Sequence, residues 1–299
     1  MDRFLEMKVF AAVAEAGSFT RAADALDMSK AAVSRYVAEL EERLGVRLLH
    51  RTTRKLSPTT EGEIFQARCR ELLGNLEDAE AEITSRTGAA SGLLKANVPV
   101  TFGLMHLSAL WPALLARHPD LALDLTLSDR VVDLVEEGFD VAVRIGQLPA
   151  SSLIGRKLAN TRMILCAAPA YLAARGAPSL PADLAAHDVI SYSLFAAGEN
   201  WTFTGPLGAQ TVRVAPRLRT NSGDTCRAAA LLGQGVVLQP SFIVGADLAA
   251  GTLVELMPGW RAGELGVYAV YPSRKFVSPK VRVLIDFLVE AFAHPPWED

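Results

Sequence analysis

Residues 19–45 read FTRAADALDMSKAAVSRYVAELEERLG. Phe19, Ala22, Ala23 and Leu26 fall on one side of a short helix, and after Met28 a second run sets Val33, Val37, Leu40 and Leu44 at helical spacing. Ser29 is a good N-cap for that second helix, because its hydroxyl can accept a first-turn backbone N–H. Lys30, Ser34 and Arg35 then point outward, while Ala31 and Ala32 are small enough to allow close approach. Two helices joined by a tight turn, the second exposing small and cationic residues from its first two turns, can put a helix N-terminus into a major groove. Upstream, Leu5, Val9, Phe10, Val13 and Ala14 form another apolar stripe that Gly17-Ser18 ends. On this pattern alone the outer face of an ordinary three-helix bundle is the better reading, since charged outer faces are the rule on surface helices.

The next segment, RLLHRTTRKLSPTT (47–60), tips the balance. It alternates in short extended pieces and suits a two-stranded wing, with Arg51, Thr53 and Arg54 turned toward a phosphate backbone. From Met28 to Lys55 seven cations (Lys30, Arg35, Arg43, Arg47, Arg51, Arg54, Lys55) face three acids (Glu39, Glu41, Glu42), a local excess of +4 in a chain of net charge −3. Bulk charge does not suit a polyanion binder, so affinity for DNA has to come from this cluster.

Beyond Pro58, Thr59 can cap a long helix in which Phe65, Cys69, Leu72, Leu76, Ala79 and Ile83 make a heptad seam. A narrow seam with charged flanks, leaving a small domain, reads as a dimerisation helix; packing on the chain's own remainder is the alternative. GAASG (88–92) is a linker. From Leu93 the pattern turns to alternating α/β. LLKANVPV, LALDLTL and VAVRI are strands, with GLMHLSALWPALLARHP and DRVVDLVEEG as the helices between them. A second unit follows: MILCAAP, PAYLAARG, VISYS, VRVAPRLRT, SGDTCRAAALLGQG, VVLQP, SFIVGADLAAG and TLVEL, closed by GVYAVYPS and SPKVRVLIDFLVEAFA. Two such lobes meet in a cleft at strand C-termini, where helix N-termini converge.

The remaining composition mainly excludes. Cys69, Cys166 and Cys226 match no disulfide or zinc spacing and read as reduced cytosolic thiols. The N-terminal MDRFLEMKVFAAVAEAG is broken by Asp2, Glu6 and Glu15 and lacks the basic start of a signal peptide, and no uncharged run is long enough for a membrane span. His50, His106, His118, His187 and His294 have no spaced partner for a triad or metal set, which disfavours an enzyme. A solute-binding protein would suit the α/β part but not the basic wing.

The ordered run from Phe19 to Gly62, together with LSDRVVDLVEEGFDVAVRIG, AALLGQGVVLQPSFIVGADLAAGTLVEL and VYPSRKFVSPKVRVLIDFL, resembles the LysR-type bacterial transcriptional regulators over essentially the whole chain. The resemblance implies an α/β protein with an N-terminal all-α winged helix-turn-helix domain and an effector domain of two lobes similar to periplasmic binding proteins. The expected divisions are 1–59 for DNA binding, 60–87 for the dimerisation helix, 88–92 for a hinge, 93–161 with 268–299 for the first lobe and 162–267 for the second. The implied partners are double-stranded DNA, further copies of the chain up to a dimer of dimers, a small-molecule effector and RNA polymerase, with no membrane and no cofactor. Lys30 stands where the family commonly has Gln and Tyr36 where Gln or His is common, so the bases read should differ.

For the cleft, the resemblance carries over Thr101 and Phe102 after the first strand, Ser128 after the second, and Asn221 at the start of a helix in the other lobe. Helix N-termini near Thr101 and Asn221 favour an organic anion, although simple N-capping explains either residue equally well. Arg144 beside Gly146 could meet a ligand carboxylate or make a structural ion pair. Redox sensing through Cys226 or Cys166, or regulation without an effector, are the alternatives for this part.

Overall fold

The computed structural model describes residues 2–51, 56–84, 90–147, 153–206, 208–272 and 277–298, without the side chains of 51, 71, 75 and 77–84. Helix α1 (Arg3–Ala16) starts where Asp2 Oδ1 accepts the N–H groups of Phe4 and Leu5, and stops at Gly17, whose φ of 58° favours glycine. Ser18 caps α2 (Phe19–Ala25), and Ser29 caps α3 (Lys30–Leu44) by accepting from Ala32 N at 3.2 Å. Their apolar stripes meet in one core, with Val9, Phe10, Val13, Val33, Val37 and Leu40 all fully buried. The wing follows: β1 (Leu49–Arg51) pairs antiparallel with β2 (Leu56–Pro58).

Helix α4 (Thr60–Thr84) is capped by Thr59, whose Oγ1 accepts from Gly62 N at 3.0 Å and donates to the Arg47 carbonyl at 2.8 Å. Gly62 is needed there, because a Cβ would stand 2.0 Å from the Leu48 carbonyl oxygen. The heptad seam divides in two. Phe65 and Cys69 pack into their own domain, Phe65 lying 5.6 Å from the Phe10 ring, while Leu72 and Leu76 stay 46% and 36% exposed. Ala79 and Ile83 fall among the side chains not described.

Two compact units result, Met1–Ala89 with Asp133–Gly138, and Ala90–Val132 with Phe139–Asp299. In chain order the second holds β3 (Gly92–Val98), α5 (Val100–Phe102) running into a π-helical turn, α6 (Trp111–Arg117), β4 (Leu121–Leu127), β5 (Val141–Gly146), β6 (Leu153–Ala167) and α7 (Pro169–Arg175). Then come β7 (Val189–Tyr192), β8 (Asn200–Gly205), β9 (Gly208–Arg213), β10 (Pro216–Thr220), α8 (Gly223–Leu231), β11 (Val236–Pro240), α9 (Ser241–Ala249), β12 (Val254–Glu255), β13 (Glu264–Pro272) and α10 (Pro279–Ala291). The sheet runs β10-β7-β11-β6-β13-β5-β3-β4, and β8 and β9 form a separate hairpin.

The long strand β6 makes the two lobes continuous. Its residues from Leu153 to Arg162 pair with β13, and those from Met163 to Cys166 pair with β11. The returning strand β13 pairs with β5 on its other edge. Three local expectations change. GLMHLSALWPALLARHP is broken into a π-helical turn (Gly103–Leu107) and α6, which restarts with Pro112 in its first turn, where a missing N–H costs nothing. DRVVDLVEEG makes turns instead of a helix: Asp133 Oδ1 takes the N–H groups of Val135 and Glu136, and Gly138 at φ 72° ends the coil after one turn. VRVAPRLRT contains two strands, β9 and β10, parted before Pro216.

Candidate DNA-binding face and effector cleft

On α3 the first two turns present Lys30, Ala31 and Arg35 to solvent, with Ser34 and Tyr36 half-buried. Ser29 is exposed too, although its hydroxyl is occupied as the cap. The Arg35 guanidinium lies 5.4 Å from the centroid of the Tyr36 ring and 3.8 Å from Glu39. Arg51 belongs to β1, whereas Thr53 and Arg54 lie outside the described residues.

Two of the seven cations are ion-paired to buried carboxylates. Arg43 binds Glu6, fully buried, at 2.6 Å, and Arg47 binds Glu41, nearly so, at 2.9 Å. Glu41 also accepts the N–H groups of Leu48 and Leu49 through its other oxygen, tying the wing to the end of α3. These two arginines therefore help hold the domain together, Arg43 part-buried and Arg47 still largely exposed. The i, i+37 separation of Glu6 from Arg43 gave no local signal for that pairing.

In the second unit Thr101 and Ser128 follow the C-terminal ends of β3 and β4, and Thr101 meets α8 of the other lobe. Thr101, 5% exposed, caps nothing; its Oγ1 donates to Asp224 Oδ2 at 2.7 Å, across the cleft. Asn221 is exposed and is not the cap either, since Ser222 accepts from Thr225 N at 3.1 Å. Gly223 begins α8 because the lobes close on it: a Cβ there would lie 2.8 Å from Ile243 Cδ1 and 3.1 Å from Thr101 Oγ1. Phe102 faces away from the cleft, fully buried among the rings of His106, Phe242, Phe292 and Trp297. Burial holds the His106 imidazole below its ordinary pKa.

Ser128 is half-buried and its Oγ accepts from Arg130 N at 3.2 Å. Arg144 braces the same loop by donating to Asn97 Oδ1, the Arg130 carbonyl and the Val132 carbonyl at 3.1–3.3 Å. Gly146 ends β5 opposite Gly266 of β13. Asp129, Tyr192, Asp224 and Gln239 were not singled out as site residues in sequence, yet they gather near Thr101 where the two lobes meet. Asp129 Oδ1 accepts from Val100 N at 3.0 Å, and the Tyr192 hydroxyl from the second lobe bonds the same carboxyl. Burial raises the Asp129 pKa, outweighing both hydrogen bonds, and the nearby charge of Asp224 adds to the rise. The anion expected at these helix starts thus meets two of the chain's own carboxylates. The only signal in sequence was their position, one residue after Ser128 and three after Asn221.

The setting of the thiols does not favour a redox role. All three are buried, and burial pushes Cys166 up to about 12 and Cys226 to about 11, so the reactive thiolate is suppressed.

Comparison with known proteins matches both units. A model of the bacterial regulatory helix-turn-helix protein of the lysR family covers residues 4–63, and one of the LysR substrate binding domain covers 87–293. The chain belongs to the LysR family of transcriptional regulators, which bind DNA and carry an effector-binding domain. Among individual relatives, it is 36% identical to the regulator CrgA of Neisseria meningitidis serogroup B over 286 residues, 95% of each chain. It is also 36% identical to the regulator PtxR of Pseudomonas aeruginosa over 288 residues, 96% of this chain and 92% of the other. The solved CrgA structure superposes with a TM-score of 0.64 at 35% identity, covering 97% of this chain and 99% of that one. The full-length virulence activator AphB of Vibrio cholerae gives 0.63 at 28% identity, covering 96% and 99%.

Proposed function

We propose that this regulator reads operator DNA through Lys30, Ala31, Ser34 and Arg35, with Ser29 setting the start of α3 and Tyr36 supporting Arg35. The observation that carries the reading is the exposed first two turns of α3, small and cationic, on a domain whose other buried charges are paired off. Arg51, Thr53 and Arg54 grip phosphate from the wing. Residues 1–59 supply this DNA-binding part, 60–87 the dimer contact and 88–92 the hinge. The lobes 93–161 with 268–299 and 162–267 hold a small effector near Thr101, Ser128 and the start of α8. Arg144 and Gly146 shape the floor behind that site, and Asn221 lies at its edge. The assembly is a homotetramer built as two dimers; it works in the cytoplasm, contacts RNA polymerase and catalyses no reaction. A gel shift with the intergenic DNA upstream of its own gene tests the reading. A retarded band abolished by Lys30→Ala with Arg35→Ala is expected, and equal retardation of unrelated DNA would overturn sequence-specific binding.

A further inference from the structure

The cleft between the lobes carries information about its ligand. The first backbone donor after Pro99, Val100 N–H, is already bound by Asp129, and the first turn of α8 already holds Asp224. A helix start that ordinarily attracts an anion is in both places covered by a carboxylate of the chain. Among the described residues neither carboxylate has an ion-pair partner: Arg227, the cation that acts on Asp224, is engaged by Asp247 at 2.5 and 2.7 Å.

A second, independent group lies beside the same place. Gln239, at the end of β11, is 2% exposed, and its Nε2 has no hydrogen-bond partner. Its Oε1 and Thr101 Oγ1 lie 3.8 and 3.1 Å from the point where a Cβ on Gly223 would stand. A buried amide donor of this kind is satisfied when an oxygen acceptor is brought to it.

We infer that the cleft recognises a small organic cation, with a protonated amine for Asp224 and Asp129 and an oxygen acceptor for Gln239, in place of an organic anion. This rests on the effector reading given above. The amine replaces Thr101 as the donor to Asp224, so ligand binding exchanges an interlobe hydrogen bond for two contacts bridged by the ligand. Asp129 and Asp224, whose charges repel, are drawn together by the cation.

Three probes of one length test the charge: 4-aminobutan-1-ol, butane-1,4-diol and 4-hydroxybutyrate, titrated at neutral pH into the full chain by calorimetry and thermal shift. The amino alcohol should bind at least tenfold more tightly than the diol, and the hydroxy acid more weakly still. Asp224→Asn should bring the amino alcohol level with the diol, and Asp129→Asn provides the same readout if the first variant fails to fold. Tighter binding of 4-hydroxybutyrate would overturn the cationic class and leave the effector cleft standing. Amino-alcohol binding untouched by both substitutions would remove the cleft as the site, and no binding by any probe would overturn both.

Discussion

Lys30 leads the exposed turn of α3, and an ammonium there suits guanine O6 and N7, whereas glutamine suits the N6/N7 edge of adenine. Lys30→Gln should therefore move base preference from G toward A at one position per half-site, by about 1–3 kcal/mol, with less change in non-specific affinity. Selection from randomised DNA checks it, and identical consensus sites for parent and variant would confine Lys30 to phosphate. At the cleft, Asp129 has its pKa raised from 3.8, so its neutral form is the better accommodated one. The sign is fixed by linkage: that advantage is complete below the unfolded pKa and is lost as pH rises through the higher folded value. Asp129→Asn, which still offers an oxygen to Val100 N–H, should gain in melting temperature relative to the parent between pH 4 and pH 7. A melting series across that range measures the difference.

Helix α4 shows how a single element serves two neighbours. Its N-terminal turn lies against the wing so closely that Gly62 cannot carry a Cβ without meeting the Leu48 carbonyl. Gly62→Ala gains up to about 1 kcal/mol of helix propensity but loses more to the clash, for a net destabilisation of about 1–3 kcal/mol in denaturant melts. Leu72 and Leu76, exposed on the same helix, are where a second chain should pack. Replacing both with Asp would place charges in that contact, and light scattering should then find half the mass or less. The α3 face, its Ser29 cap and the Thr59 cap were legible because capping and periodicity are local. The long strand β6 was less so, since a strand that changes partners midway shows no change of pattern in sequence. The turns at Asp133 were hidden for a related reason: Asp133 and Gly138 outweigh a helical spacing of apolar residues within one turn. The position of Thr101 after the first strand was legible, but its partner Asp224 was not, because contacts separated by 123 residues leave no periodic trace.

At the scale of the molecule, apolar packing among the described residues divides into three clusters, one in the DNA-binding domain and two in the α/β unit. The largest spans strands of both lobes and includes Phe242 of α9 alongside Phe102 and Trp297. The lobes accordingly share a core as well as the Thr101–Asp224 hydrogen bond.

The three cysteines are distributed over that architecture: Cys69 is sealed in the DNA-binding domain, and Cys166 and Cys226 are sealed in the α/β unit, all with 0% exposure. Held as neutral thiols by burial, with Cys69 also pushed up to about 12, they are shielded from alkylation while the fold is intact. The native chain therefore carries its own stopwatches for opening. With a maleimide in excess, each label should appear at the rate its surroundings unfold, and peptide mapping separates the Cys69 clock from the other two. Operator DNA should slow the first clock, and labelling of all three within the mixing time of the folded protein would contradict their burial.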